Sequence, residues 1–135
     1  MNSLQIECIL HCDEVLHNSV IGVFAIDELT RGLATVMKEE AGKLGSKTVG
    51  IIINTDLSRE KGTHWVTLVY EKRTTNRPLV EIFDSLGTRS PLQGKELVIE
   101  RFVGHLSCFG EKKKKAQVMR NEGALQTVGS KTCGY

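Results

Sequence analysis

Cys133 is followed by Gly134 and preceded, seven positions earlier, by Gln126. Far upstream, His64 opens the apolar stretch HWVTLVY and Asp84 closes VEIFD. A cysteine nucleophile needs a base to form thiolate, a group to orient that base, and donors for the oxyanion. His64, Asp84 and Gln126 are the side-chain types that supply these three functions, and Gly134 leaves the backbone at Cys133 unhindered. A Cys133 placed at a helix N-terminus gains further support for thiolate from the helix field. Each residue also has an ordinary explanation. A His beside a Trp is commonly a satisfied strand residue, and an Asp before Ser-Leu-Gly is commonly a turn former. Gln126 alone carries no signal, and a Cys near a terminus is commonly an inert thiol. The chemistry is suggested by the order and spacing of the set.

The elements that must position these residues follow from pattern. Leu4, Cys8, Cys12, Val15 and Leu16 recur at helical spacing after Ser3, a candidate N-cap, which predicts an amphipathic first helix. VIGVFAIDEL reads as a strand or loop, and TRGLATVMKEEAGKLGSK as a short, Gly-punctuated helix. TVGIIIN is a wholly apolar run and predicts a buried strand. HWVTLVYEK alternates, with Trp65, Thr67 and Val69 on one face and Val66, Leu68 and Tyr70 on the other. TTNRP is a turn, and PLVEIFD a second strand paired with the first as an antiparallel hairpin. Ends of paired strands lie close, so an Asp84–His64 hydrogen bond is geometrically reasonable. PLQGKELVIERFVGHL predicts a helix weakened by Gly94 and Gly104, and the charge run EKKKK gives way to an edge strand. The expected fold is α+β, with a small, mainly antiparallel sheet and flanking helices in one domain spanning 1–135.

Composition narrows the class. The 135 residues are 40% hydrophobic and 25% charged, as expected for a compact domain with a modest core. A net charge of +2 is too small to argue for nucleic acid. No apolar run reaches membrane-spanning length and no secretory leader is visible. The irregular spacing of Cys8, Cys12, Cys108 and Cys133 argues for reduced thiols.

A family resemblance joins these pieces. IINTDLSREKGTHWVTLVYEK, VEIFDSLG and LQTVGSKTCGY resemble the adenain family of viral cysteine proteases, and still more the adenain-like proteases of Maverick/Polinton elements. GVFAIDEL resembles the opening of the same group. The ordered set His-Trp, Phe-Asp, Gln, Cys-Gly carries the resemblance, which runs from about Gly22 to Tyr135 and is weakest from Arg89 to Gly123. It implies a papain-like fold in the permuted order shared with the SUMO-specific proteases. It implies His64 as general base, Asp84 as orienting acid (adenain itself carries Glu), Gln126 in the oxyanion hole and Cys133 as nucleophile. Trp65 matches a Trp beside the His, where it shields the Cys–His pair from water or serves as an ordinary core aromatic. Asp27 matches an Asp near the substrate cleft, or is a helix-initiating carboxylate.

The implied activity is peptide-bond hydrolysis without a cofactor, on capsid or core precursors, often after small residues such as Gly. Removal of SUMO or ubiquitin-like proteins is a rival substrate reading, and an inactive remnant or binding module a non-enzymatic one. The expected partner is a protein or peptide substrate. The chain is expected to be a monomer away from membranes, in the nucleus or cytoplasm, or in the virion of a virus. Cys8, His11, Cys12 and His17 lack a second ligand pair of the usual kind, so they read as core thiols and surface histidines with no metal. EKKKK could touch phosphate backbones, yet reads better as a solvated loop. In the family the Cys begins a long core helix, and here only Gly134 and Tyr135 follow it. The expectation is a domain incomplete at its C-terminus and poorly active as it stands.

Overall fold

The computed structural model describes residues 2–43, 48–60, 62, 64–73, 77–87, 94–107 and 115–124. Its elements are α1 (Ser3–Cys12), α2 (Glu14–Ser19), β1 (Val20–Ala25), a 3-10 turn (Ile26–Glu28), α3 (Arg31–Lys43), β2 (Thr48–Asn54), β3 (Trp65–Glu71), β4 (Leu79–Asp84), α4 (Glu96–Ser107) and β5 (Gln117–Arg120). The fold is α+β, with a five-stranded sheet in the order β1-β2-β3-β4-β5 and flanking helices.

The sheet is mixed. β2/β3 and β3/β4 pair antiparallel, whereas both edge pairings, β1/β2 and β4/β5, are parallel. This corrects the expectation of a mainly antiparallel sheet. The reason lies in the connections: α3 stands between β1 and β2, and α4 between β4 and β5. A helical crossover returns the chain to the same end of the sheet and makes the next strand parallel, while short loops make hairpins. As a result β1, β2, β4 and β5 all end at the edge of the sheet where β3 begins.

One face of the sheet carries the main core. Val49, Ile51 and Ile53 of β2, Val66, Leu68 and Tyr70 of β3, and Val80 and Ile82 of β4 pack with Ala34, Met37 and Ala41 of α3 and Ile99, Phe102, Val103 and Leu106 of α4. The α4 set recurs at i, i+3, i+4 and i+7, one stripe of a helix. Each large aliphatic so buried contributes about 1.5–3 kcal/mol. Gly94 does not interrupt α4: it lies before the helix at φ +87°, in the left-handed region that favours glycine.

The opposite face holds a smaller cluster of Ile6 and Leu10 from α1 with Trp65, flanked by Val20, Val23 and Ile52. Here the first helix departs from expectation. Asn2, rather than Ser3, is the N-cap: its Oδ1 accepts from Gln5 N and Gln5 Oε1 accepts from Asn2 N, both at 2.9 Å. The helix stops at Asp13, whose Oδ1 accepts from Val15 N and Leu16 N and starts α2 anew. The break resets the helical phase, so the buried pair is Ile6 and Leu10. Leu4, Val15, Cys8 and Cys12 are exposed, and neither Cys8 nor Cys12 is a core thiol.

No helix among the described residues is long and apolar enough to cross a membrane.

Candidate active site

The sheet register brings two of the sequence-singled residues together. Val66 of β3 stands opposite Asp84 of β4. His64 lies two residues before Val66 and so occupies the diagonal position on the same face, within reach of a long side chain. His64 Nε2 and Asp84 Oδ1 are 2.8 Å apart, and the two residues are only 3% and 5% exposed. Asp84 Oδ1 also accepts the backbone N–H of Leu86 at 2.9 Å. An ionised carboxylate only accepts, so this contact suits a proton on Nε2 and leaves Nδ1 on the other side of the ring.

Both residues are held by their backbones. Thr55 N donates to His64 O at 3.0 Å, and Lys95 Nζ donates to Thr55 O. Lys95 also lies 3.4 Å from Asp56 Oδ1, which ties the approach to α4 to the end of β2. Asn54 Oδ1 accepts from Asp56 N at 3.0 Å, bending the chain out of the strand. The tract Asn54-Thr55-Asp56 is thus a support for the His64 backbone. Asp84 N donates to Asn121 Oδ1 at 2.8 Å, and Asn121 Nδ2 donates back to Asp84 O at 2.6 Å. The Ser-Leu-Gly turn after Asp84 ends on Gly87 at φ +55°. A side chain there would meet Glu122 O at 2.7 Å and Gly123 C at 2.9 Å. Glycine is required at this position for conformation and for space.

Trp65 is 7% exposed and packs on Ile6 and Leu10 of α1, away from the face carrying Val66. It belongs to the smaller core cluster under α1. Gly62 admits the ring: a Cβ there would come within 2.5 Å of Trp65 Cζ2.

Asp27 is not a helix cap, and it is exposed. It sits inside the 3-10 turn, and its two oxygens accept from Ser58 N and Ser58 Oγ, each at 2.8 Å. Helix α3 is started instead by Thr30, whose Oγ1 accepts from Leu33 N. The Ser58 hydrogen bonds hold the Asp27 carboxyl below its ordinary value of 3.8. Asp27 therefore clamps the β2–β3 loop to the end of β1.

Gln126 and Cys133 lie outside the described residues, as do Cys108 and residues 111–114 of the charge run. Among the described residues, no group of three or more His, Cys, Asp or Glu side chains could hold a metal ion. His11 and His17 do face each other, Nδ1 to Nδ1 at 3.3 Å. An open groove of about 540 Å3 runs between α4 and β5, lined by Val103, Gly104, Ala116 and Val118 with Glu100 and Arg120 among its charged groups. Neither His64 nor Asp84 lines it.

Sequence reasoning missed Thr55, Lys95 and Asn121. Each acts through backbone groups of distant residues, and no local pattern announces such a bond.

No protein-family model matches this chain, and no curated protein matches it. Among solved structures, it is similar to the central domain of the uncharacterized Lpg1148 protein from Legionella pneumophila, at 17% identity and a TM-score of 0.42. The match covers 78% of this chain and 52% of that one, so it spans about half the length of its neighbour. A likeness this distant says nothing of activity.

Proposed function

We propose that the chain is a cysteine peptidase domain with a papain-like fold in the permuted order His, Asp, Gln, Cys. The observation that supports this reading most is the buried His64–Asp84 pair at 2.8 Å, at the edge of the sheet where four strands end. A carboxylate that fixes the orientation of a histidine is the part of a catalytic dyad or triad that must be preorganised. The ordered motif set in the sequence supplies the remainder.

In this reading His64 Nδ1 takes the proton of Cys133, and Asp84 stabilises the imidazolium that results. The thiolate attacks the scissile carbonyl, and the Gln126 amide with the Cys133 N–H stabilises the oxyanion. His64 returns the proton to the leaving amine, an acyl-enzyme forms at Cys133, and water activated by His64 releases the acid. The substrate class is a protein or peptide cleaved after a small residue such as Gly.

The test is a peptide library with Gly before the scissile bond, read by mass spectrometry, beside a Gly-terminal thioester that acylates a reactive thiol. The expected result is an acyl adduct on Cys133 with slow cleavage, both lost in Cys133→Ala. Cleavage that persists in Cys133→Ala, or no adduct on Cys133 in the parent, contradicts the proposal.

A further inference from the structure

The last residue pair of β4 and β5 is Ile82 with Arg120. Beyond it Asp84 would sit at a fraying strand end, where backbone groups lose their partners and dihedral angles loosen. Asn121 takes the place of the missing strand. Its side-chain amide pairs in both directions with the peptide groups of Asp84, accepting from N at 2.8 Å and donating to O at 2.6 Å. The same Nδ2 donates to Gly123 O at 2.9 Å. That bond turns the chain so that residues 122–124 form a wall against Gly87. Leu86 N meanwhile holds the Asp84 side chain through Oδ1, the oxygen that receives His64. The carboxylate is thus fixed by its own turn, and the backbone that carries the turn is fixed by Asn121.

We propose that Asn121 is a positioning residue for the Asp84–His64 pair, and its catalytic consequence rests on the peptidase reading above. An amide is suited to the task because one planar group presents both a donor and an acceptor, as a peptide does. Aspartate at 121 keeps the acceptor, loses the donors and adds charge beside Asp84. Leucine keeps the approximate volume and loses both functions. Even about 1 Å of misplacement at a reacting group can reduce rate a hundredfold, so loosening Asp84 acts on kcat rather than on substrate affinity.

The experiment uses the full chain and three variants, Asn121→Leu, Asn121→Asp and Asp84→Asn. It reads the His64 Nε2–H proton by NMR, together with the melting temperature and, for a cleaved peptide, kcat and KM. The expected result is a hydrogen-bonded, slowly exchanging Nε2–H in the parent that is lost or shifted in Asn121→Leu and less so in Asn121→Asp. Turnover in Asn121→Leu should fall about tenfold or more through kcat, with KM within about twofold. A lower melting temperature in a folded Asn121→Leu with the Nε2–H signal unchanged overturns the proposal. Should Asn121→Leu fail to fold, Asn121→Asp decides: an unchanged signal overturns the proposal and a shifted one supports it. A parent without turnover or a Cys133 adduct, but with the Nε2–H signal sensitive to position 121, removes the peptidase reading and leaves the positioning role standing.

Discussion

Asp84 stands opposite Val66 in the β3/β4 ladder, yet its carboxylate reaches past it to His64 Nε2 at 2.8 Å. The diagonal is what gives the pair its direction. A histidine directly opposite Asp84 would lie within the sheet, whereas His64 stands just outside β3 at the end of the ladder. From there its Nε2 meets the acid. Both partners are buried, so a change at one of them leaves a polar group with diminished compensation.

Asp84→Asn is therefore expected to keep the fold, because its Oδ1 can still accept from Leu86 N. Its amide oxygen can still accept the His64 Nε2 proton, but it carries no charge to stabilise an imidazolium. Under the peptidase reading, turnover should fall by roughly tenfold or more. Circular dichroism and peptide-cleavage rates check the two halves. Asp84→Ala, which removes the turn bond as well, should cost a further ~1–3 kcal/mol in denaturant unfolding.

Gly87→Ala tests the wall behind the turn. An L-residue at φ +55° costs about 1–2 kcal/mol, and the atoms facing the new methyl are backbone, which cannot rotate aside. The expected loss of stability is about 2 kcal/mol or more. A loss below about 0.5 kcal/mol would show that residues 122–124 do not press on this turn.

The Asp27–Ser58 clamp has a pH signature. A carboxyl held below its ordinary value binds fewer protons folded than unfolded, so stability rises with pH across that window. The clamp's contribution is present above 3.8 and is lost as pH falls through the lower folded value. An NMR titration should place the Asp27 midpoint below 3.8, and Ser58→Ala should move it back up. No movement in Ser58→Ala would mean that another group holds Asp27.

Tyr70 is fully buried in the main core, and its hydroxyl finds no hydrogen-bond partner among the described residues. Burial pushes its pKa up from 10.0. The folded state thus resists ionisation, and this contribution is lost as pH rises from about 10 through the higher folded value. Tyr70→Phe removes an uncompensated polar group and is expected to leave stability unchanged or raise it by up to ~1–3 kcal/mol. Urea unfolding decides, and a marked loss would reveal a partner for the hydroxyl.

Alternation in HWVTLVY correctly placed Val66, Leu68 and Tyr70 on one face, because a strand's period of two leaves little choice once the core face is known. The hairpin made the meeting of His64 and Asp84 legible for the same reason: strand ends joined by one turn must lie together. The direction of β5 was not legible, since it depends on where α4 returns the chain. The face of α1 was misread because Cys8 and Cys12 were counted as apolar across a helix that Asp13 divides in two. The bond from Ser58 to Asp27 was not legible either, since it spans 31 residues. Asn121 lies 37 residues from the backbone it holds, and an Asn after an edge strand looks like any turn residue.

The peptidase proposal requires Cys133 to be a nucleophile activated by His64. The direct measurement is the rate of iodoacetamide alkylation of each of the four cysteines near neutral pH, followed by peptide mapping, in the parent and in His64→Ala. Cys8 and Cys12 are exposed on α1 and serve as internal references for accessible thiols. Under the proposal Cys133 reacts about tenfold or more faster than either, and His64→Ala brings it down to their rate. Alkylation of Cys8 or Cys12 as fast as Cys133 in the folded parent, or a Cys133 rate unchanged in His64→Ala, would contradict it.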